Sequence, residues 1–217
     1  MKKILIFYVM LTLISCNSDL VKKMGVQHKA SDTSIVSAVP KELSPVDYAA
    51  WIQNEEAGLK LRSQHGAYKY ELQYQPPAYL VVVQERTEQI EEKLLREEIN
   101  KRGDLQYFSF KMSTIDGKGI LSNKDIAIDN RDSYLLSGLQ QDIKLVEGTD
   151  TLNCVMLHFE SSNNLIPYDN CVLAFEKSKH RSEDLIFLYN THKYDQAWVR
   201  IIIERKNINR IPKLKTN

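Results

Sequence analysis

A cysteine and a histidine stand four residues apart in a strongly apolar stretch of the chain, at Cys154 and His158. A thiol beside an imidazole is the arrangement of cysteine hydrolases, because the imidazole accepts the thiol proton. In a strand, however, four residues span about 13 Å, so two side chains on one face at this spacing are beyond hydrogen-bond reach. We therefore predict no catalytic residue from this pair and interpret His158 as a histidine at the edge of the core.

Cys154 and Cys171 could instead form a disulfide bond, since an even pair of thiols in an oxidising compartment favours one. If they face each other in a hairpin, the turn falls at residues 161–164, which are polar. Pro167 argues against this register, because proline inside a paired strand is confined to edges and bulges. The alternative is two buried free thiols.

The remaining histidines are scattered at His28, His65, His180 and His192, and no HExxH or CxxC motif is present. They lack the spacing that metal ligands require. The acidic stretch SNKDIAIDNRDS, residues 122–133, fails as a calcium loop because Ala127 occupies a ligand position and the required glycine is missing. We predict neither a metal site nor a cofactor.

Four tyrosines flank a pair of prolines, Pro76-Pro77, in the first half of the chain: Tyr68, Tyr70, Tyr74 and Tyr79. Tyrosine offers a large contact area at low entropic cost, so these residues could form a binding surface for peptide or sugar. The alternative is that alternate tyrosines fill the inner face of a sheet.

The elements around these residues follow from hydrophobic periodicity. Residues 68–74 alternate with period two and predict a half-buried strand whose other face carries Lys69, Glu71 and Gln73. Ser44 and Pro45 predict the start of a short helix to about residue 54. Residues 79–83 predict a further strand, and residues 87–102 predict a helix with Thr87 as N-cap, ended by Gly103.

Six further apolar runs predict strands at residues 105–113, 143–147, 152–160, 171–177, 185–189 and 197–204. Asp116-Gly117 and residues 147–150 have turn compositions where hairpins require them. Residues 152–159 are apolar on both faces, which is typical of a central strand. The predicted fold class is α+β, a predominantly antiparallel β-sheet with a few peripheral helices near the N-terminal side.

The N-terminus has the layout of an export signal, with Lys2 and Lys3 before an apolar core that is too short to span a bilayer. Leu13-Ile14-Ser15-Cys16 resembles the lipobox of bacterial lipoproteins. The resemblance implies cleavage before Cys16 and acylation of that cysteine, which anchors the protein in a membrane. We predict a signal peptide at residues 1–15, a flexible tether with the lipidated cysteine at residues 16–44, and one globular domain at residues 45–217.

Charge and the residue after the cysteine restrict the partners and the location. Removing residues 1–15 takes away two lysines and no acidic residue, so the formal charge falls from +1 to −1. A near-neutral chain lacks the basic footprint of nucleic-acid binding, and we predict no nucleic-acid partner. Asn17 follows the cysteine in place of the Asp that retains some lipoproteins at the inner membrane, and the resemblance therefore favours the outer membrane.

Most of residues 45–215 is also similar to small, uncharacterised lipoproteins of Gram-negative bacteria, through the strings NEEAGL, YELQYQPPAYLVV, YFSFKMS, LVEGTDTLNCVMLHFE and RIPKLK. The resemblance implies one coherent domain and no particular activity. We predict a non-enzymatic protein-binding or accessory component of the envelope with an envelope protein as partner, in one version an immunity-type protein. The alternative is a hydrolase of envelope polymer, and the sequence defines no oligomeric state.

Overall fold

Ten strands are present in the structure, a computed structural model that describes residues 40–160, 166–179 and 181–217. They are β1 (Glu42–Leu43), β2 (Lys60–His65), β3 (Tyr68–Gln75), β4 (Leu105–Thr114), β5 (Ile143–Glu147), β6 (Asp150–Glu160), β7 (Asp169–Glu176), β8 (Leu185–Asn190), β9 (Trp198–Ile203) and β10 (Lys213–Leu214). Eight of them form one antiparallel sheet in the order β2-β3-β4-β7-β6-β5-β8-β9, while β1 and β10 form a separate parallel pair. Short helices lie around this sheet, which confirms the predicted α+β class with a predominantly antiparallel sheet.

The helices are α1 (Pro45–Gln53), α2 (Pro77–Glu85), α3 (Glu92–Lys101), α4 (Arg131–Ser133), α5 (Leu139–Gln141) and α6 (Arg205–Asn209), with a π-helical turn at Tyr134–Gly138 between α4 and α5. α1 starts as predicted, because the Ser44 side chain accepts a hydrogen bond from the Asp47 amide and Pro45 occupies the first helical position. Glu42 and Leu43, which fall within the predicted tether, pair with Lys213 and Leu214 and so belong to the described domain.

The core consists largely of aromatic side chains on the inner face of the sheet. Phe110 on β4 packs against Tyr70, Phe187 and Tyr189, with ring centres 4.8–6.3 Å apart across this group. All four rings are buried. Burying a large apolar side chain contributes roughly 1.5–3 kcal/mol, so this cluster is a main source of the stability of the sheet.

The sheet curls so that its first and last strands come near each other without pairing. His65 at the end of β2 bonds to Asp195 before β9 at 2.7 Å, and the Tyr68 and Tyr194 rings meet edge to face at 5.0 Å. The two edges therefore partly cover each other, which limits access to their unpaired backbone groups.

Two predictions of local structure around Pro76 and Thr87 are wrong. Residues 79–83 lie in α2 and not in a strand, because Pro77 starts a helix and Tyr79 and Val82, three residues apart, share its buried face. α3 begins at Glu92, five residues later than the predicted start, since Thr87 bonds the carbonyl of Gln89 and caps no helix.

Candidate functional site

The outer face of β2, β3 and β4 carries a groove of about 560 Å³. The residues that line it have polar side chains, and all except Tyr168 come from paired strands: Arg62, Ser63, Gln64, Lys69, Tyr70, Glu71, Lys111, Ser113 and Tyr168. Along β3 and β4 the inward apolar residues alternate with the outward Lys69, Glu71, Lys111 and Ser113, so burial of the core presents these four side chains to solvent.

Sheet register arranges the groove side chains in a row. Arg62 on β2 is paired with Glu71 on β3, Glu71 with Lys111 on β4, and Lys111 with Asn170 on β7. The row continues to Glu160 on β6. Directly opposed side chains on one face lie about 4.5–5.5 Å apart at Cβ, so the row is a continuous polar strip across five strands.

Glu71 is the centre of this row. Its Oε2 accepts a hydrogen bond from Arg62 Nε at 2.9 Å, and its Oε1 lies 3.3 Å from Lys111 Nζ. Partial burial raises the pKa of Glu71, but the bonds and charges of Arg62 and Lys111 outweigh it, and the pKa is lowered from its ordinary value. Glu71 therefore stays ionised and holds both cations in place.

Lys111 and Lys69 differ in how they are held. Lys111 Nζ lies 4.8 Å from the centre of the Tyr168 ring, a cation–π contact that adds to its bond with Glu71. Lys69 Nζ makes only a long contact, 3.5 Å, to the carbonyl oxygen of Ile115 and has no ion pair among the described residues. Lys69 is thus the groove cation that is most available to a ligand.

A buried carboxylate fixes the chain beside Tyr168. Asp169 accepts hydrogen bonds from the amides of Leu121 and Ser122, at 2.6 Å and 3.2 Å. A Cβ on Gly119 would lie 2.5 Å from Asp169 Oδ1, so the loop can approach this closely only with glycine at that position. The loop after β4 and the start of β7 are therefore joined, and Tyr168 is held at the rim of the groove.

Cys154 and His158 do not share a face of β6. The register of β6 against β7 shifts between Cys154 and Met156, a β-bulge that leaves Val155 and Met156 both exposed, at 44% and 40%. Cys154 is consequently buried while His158 is exposed, whereas the sequence predicts one common face. Burial raises the pKa of the Cys154 thiol to about 11, so at neutral pH it is a thiol and not a nucleophilic thiolate.

Cys154 and Cys171 are both free and buried in the structure. The hairpin of β6 and β7 pairs Phe159 with Cys171 and Cys154 with Phe175, so the cysteines do not oppose each other as the disulfide prediction requires. Pro167 explains the difference, because it lies in a longer connection outside both strands and the short turn at residues 161–164 would have placed it within one.

The predicted tyrosine surface lies mainly inside the domain. Tyr70, Tyr74 and Tyr79 are 1%, 9% and 6% exposed, and Tyr68 is partly buried against the core. They therefore pack in the interior, which is the alternative that the alternation in β3 allowed. Tyr70 Oη lies 3.2 Å from Tyr194 Oη, so this buried hydroxyl has a hydrogen-bond partner.

The described histidines lie in separate pairs or alone. His65 bonds Asp195 at 2.7 Å, and His192 Nδ1 lies 3.4 Å from Asp142 Oδ2. No group of three or more His, Cys, Asp or Glu side chains within the described ranges is placed to hold a metal ion. His28, His180 and Cys16 fall outside the described residues.

Comparison of the chain with protein-family profiles, with curated proteins and with solved structures found no match. Within the part of the chain that the structure describes, no helix is both long and apolar enough to cross a membrane.

Sequence reasoning finds one half of the groove and misses the other. The alternation of β3 places Lys69 and Glu71 on its outer face, as predicted. Arg62, Lys111 and Tyr168 are missed, because their positions depend on which residues oppose β3 and on a loop held from a distance. Lys111 lies in the predicted strand of residues 105–113, whereas no strand is predicted over β2, which carries Arg62.

Proposed function

We propose that this chain is a bacterial envelope lipoprotein, anchored through Cys16 at the outer membrane, that acts by binding a protein partner through the groove. One observation supports the proposal most directly: the groove is lined by Arg62, Lys111 and Tyr168. Arginine and tyrosine are among the residue types that contribute most to binding energy in protein interfaces.

The groove is also preorganised for binding. Its charged side chains lie on paired strands, and Glu71 holds Arg62 and Lys111 in defined positions. Ordering flexible side chains costs about 0.5–1.5 kcal/mol each on association, so side chains that are already held reduce this cost.

The position of the groove suits an anchored protein. The chain enters the described domain through β1, and α1 covers the end of β3 near Gln73, whose Nε2 donates to the carbonyl of Ile52 at 3.4 Å. Lys69 lies four residues from Gln73 along β3, about 13 Å toward the other end. The start of the described chain and the groove therefore lie toward different ends of β3.

An immunity-type protein, which neutralises a toxin delivered by neighbouring cells, is a specific version of this proposal. Such a protein needs a rigid, charged binding surface more than a reaction centre. The alternative, a hydrolase of envelope polymer, draws no support from its motivating pair, since Cys154 is buried and His158 lies on the opposite face.

Site-specific photo-crosslinking in cells tests the proposal. A photoreactive residue is placed in the groove at Gln64 or Ser113, and as matched controls on exposed positions elsewhere, at Glu97 on α3 or Thr151 on β6. We expect one protein adduct of fixed mass from the groove positions and none from the controls.

Recovery of a partner is a second test. We also expect a stoichiometric partner from detergent-solubilised membranes, which is lost with Tyr168→Ala. Repeated recovery of the protein alone, or equal adducts from all four positions, would contradict the proposal.

A further inference from the structure

The groove is more positive than the chain as a whole. Three of its lining side chains are cationic, Arg62, Lys69 and Lys111, and one is acidic, Glu71, which gives the lining a formal charge of +2. Glu55 lies outside the lining and pairs with Arg62 at 2.5 Å, so the local formal charge with Glu55 is +1. The sequence from Cys16 onward has a formal charge of −1. The groove is therefore a local site of positive potential on a near-neutral molecule.

The single acidic residue does not reduce the capacity of the groove for an anion. Both carboxylate oxygens of Glu71 are already occupied, one by Arg62 and the other by Lys111. Lys69 keeps its charge without an ion pair among the described residues. Lys111 pairs with Glu71 and lies over the Tyr168 ring, and an ammonium group has three donors, so it can donate to a further anionic partner.

The spacing of the two lysines fits an extended peptide. Lys69 is paired with Ser113, and Lys111 lies two residues before Ser113 on the same strand. Diagonal neighbours of this kind are about 7–8 Å apart. Two carboxylates separated by one residue in an extended segment are about 7 Å apart, which matches the lysine pair.

We propose that the groove binds an acidic segment of the protein partner, in which two carboxylates with one residue between them meet Lys69 and Lys111. This inference rests on the proposed function and names the chemistry of the partner. A protein segment is favoured over a neutral sugar, because Lys111 occupies one face of the Tyr168 ring, the aromatic ring at the rim of the groove, and the lining charges favour an anion.

Binding of a labelled hexaglutamate peptide to the full-length lipidated protein in neutral detergent tests the inference, with hexaglutamine as the uncharged control. We expect hexaglutamate to bind at low salt, and we expect its affinity to fall as salt rises, since the Debye length is about 10 Å at 0.1 M. Lys69→Gln and Lys111→Gln should each weaken binding about 1.5- to fivefold, the range of an exposed ion pair.

Lys177→Gln is the matched control, because Lys177 pairs with Asp104 at 3.4 Å and does not line the groove. Each variant is checked for an unchanged thermal unfolding curve. Equal binding of hexaglutamate and hexaglutamine, or equal loss with Lys177→Gln, would overturn the inference. Tighter binding of an anionic alginate hexamer would overturn it in favour of a polysaccharide ligand.

The outcomes separate this inference from the proposed function. Groove-specific crosslinks to a partner, combined with no effect of Lys69→Gln on hexaglutamate or on partner recovery, would leave the function standing and refute the acidic segment. Hexaglutamate binding that depends on Lys69, combined with no protein adduct in cells, would leave an anion site and refute the proposed function.

Discussion

Burial raises the pKa of the Cys154 thiol to about 11 and raises the pKa of Cys171 as well. Only a thiolate reacts rapidly with iodoacetamide, so we expect neither residue to be alkylated in the native protein at about pH 8. Both should react after denaturation without a reductant. Peptide mapping by mass spectrometry distinguishes them from Cys16, and a peptide in which Cys154 and Cys171 are linked would refute this prediction.

Close packing around Gly119 also leads to a prediction about stability. An ideal Cβ there would lie 2.4 Å from Ser122 Oγ and 2.5 Å from Asp169 Oδ1, so Gly119→Ala must displace the loop that bonds Asp169. We expect it to lower the free energy of unfolding by about 2–3 kcal/mol, the range for a buried acceptor that loses its donors.

Gly66→Ala is the informative comparison for Gly119. Gly66 has a positive φ of 53° but nothing within 4 Å of its Cβ position, so its cost is backbone strain of about 1 kcal/mol. Urea unfolding of both variants measures the difference. A smaller loss at Gly119 than at Gly66 would show that Asp169 does not hold this loop.

At the scale of the elements, the row across β2, β3 and β4 predicts a stability that depends on pH. The pKa of Glu71 is lower in the folded protein, so its contribution is present above the unfolded value, about 4.3, and is lost as the pH falls through the folded value. We expect Glu71→Gln to cost about 0.5–1 kcal/mol at neutral pH and less in acid, since one side of the row is exposed. Urea unfolding of both proteins across this pH range measures the change, and a constant difference would contradict the prediction.

The elements also show how far the sequence predicts the fold. Runs with period two, such as residues 68–74 and 143–147, are strands as predicted, because their alternation directly reflects one buried face. Residues 79–83 were predicted as a strand, because their β-branched valines suggest one. In the structure they lie in α2, since tertiary burial of Tyr79 and Val82 on one face favours a helix.

Local hydrophobic patterns do not predict the register in which the strands pair. The bulge after Cys154 reverses the faces of β6, and no residue in that apolar run indicates where the extra residue falls. The groove depends on the register of β2, β3, β4 and β7, so its cationic cluster follows from the sheet and not from any single stretch of sequence.

At the scale of the whole molecule, the start of the described chain and the groove lie toward different ends of β3. β1, β10 and α1 lie at the end where the described chain begins, and the groove lies toward the other end of β3. The predicted tether of residues 16–44 would hold the domain on the order of 30 Å from its lipid, using about 5–6 Å times the square root of its length.

The last prediction concerns the lipid anchor at Cys16. Each buried acyl methylene contributes about 0.8 kcal/mol, and two or more chains are needed for stable attachment. We expect Cys16→Ser to abolish incorporation of labelled palmitate and to move the protein from the membrane fraction to the soluble fraction, or to leave it as an uncleaved precursor. Ser18→Ala, two residues away, should change neither property. Intact mass spectrometry of the purified natural protein gives the complementary measurement, because the prediction requires loss of residues 1–15 and a gain of acyl mass. An unmodified chain that still begins at Met1 would remove the basis for an anchored protein and with it the proposed location.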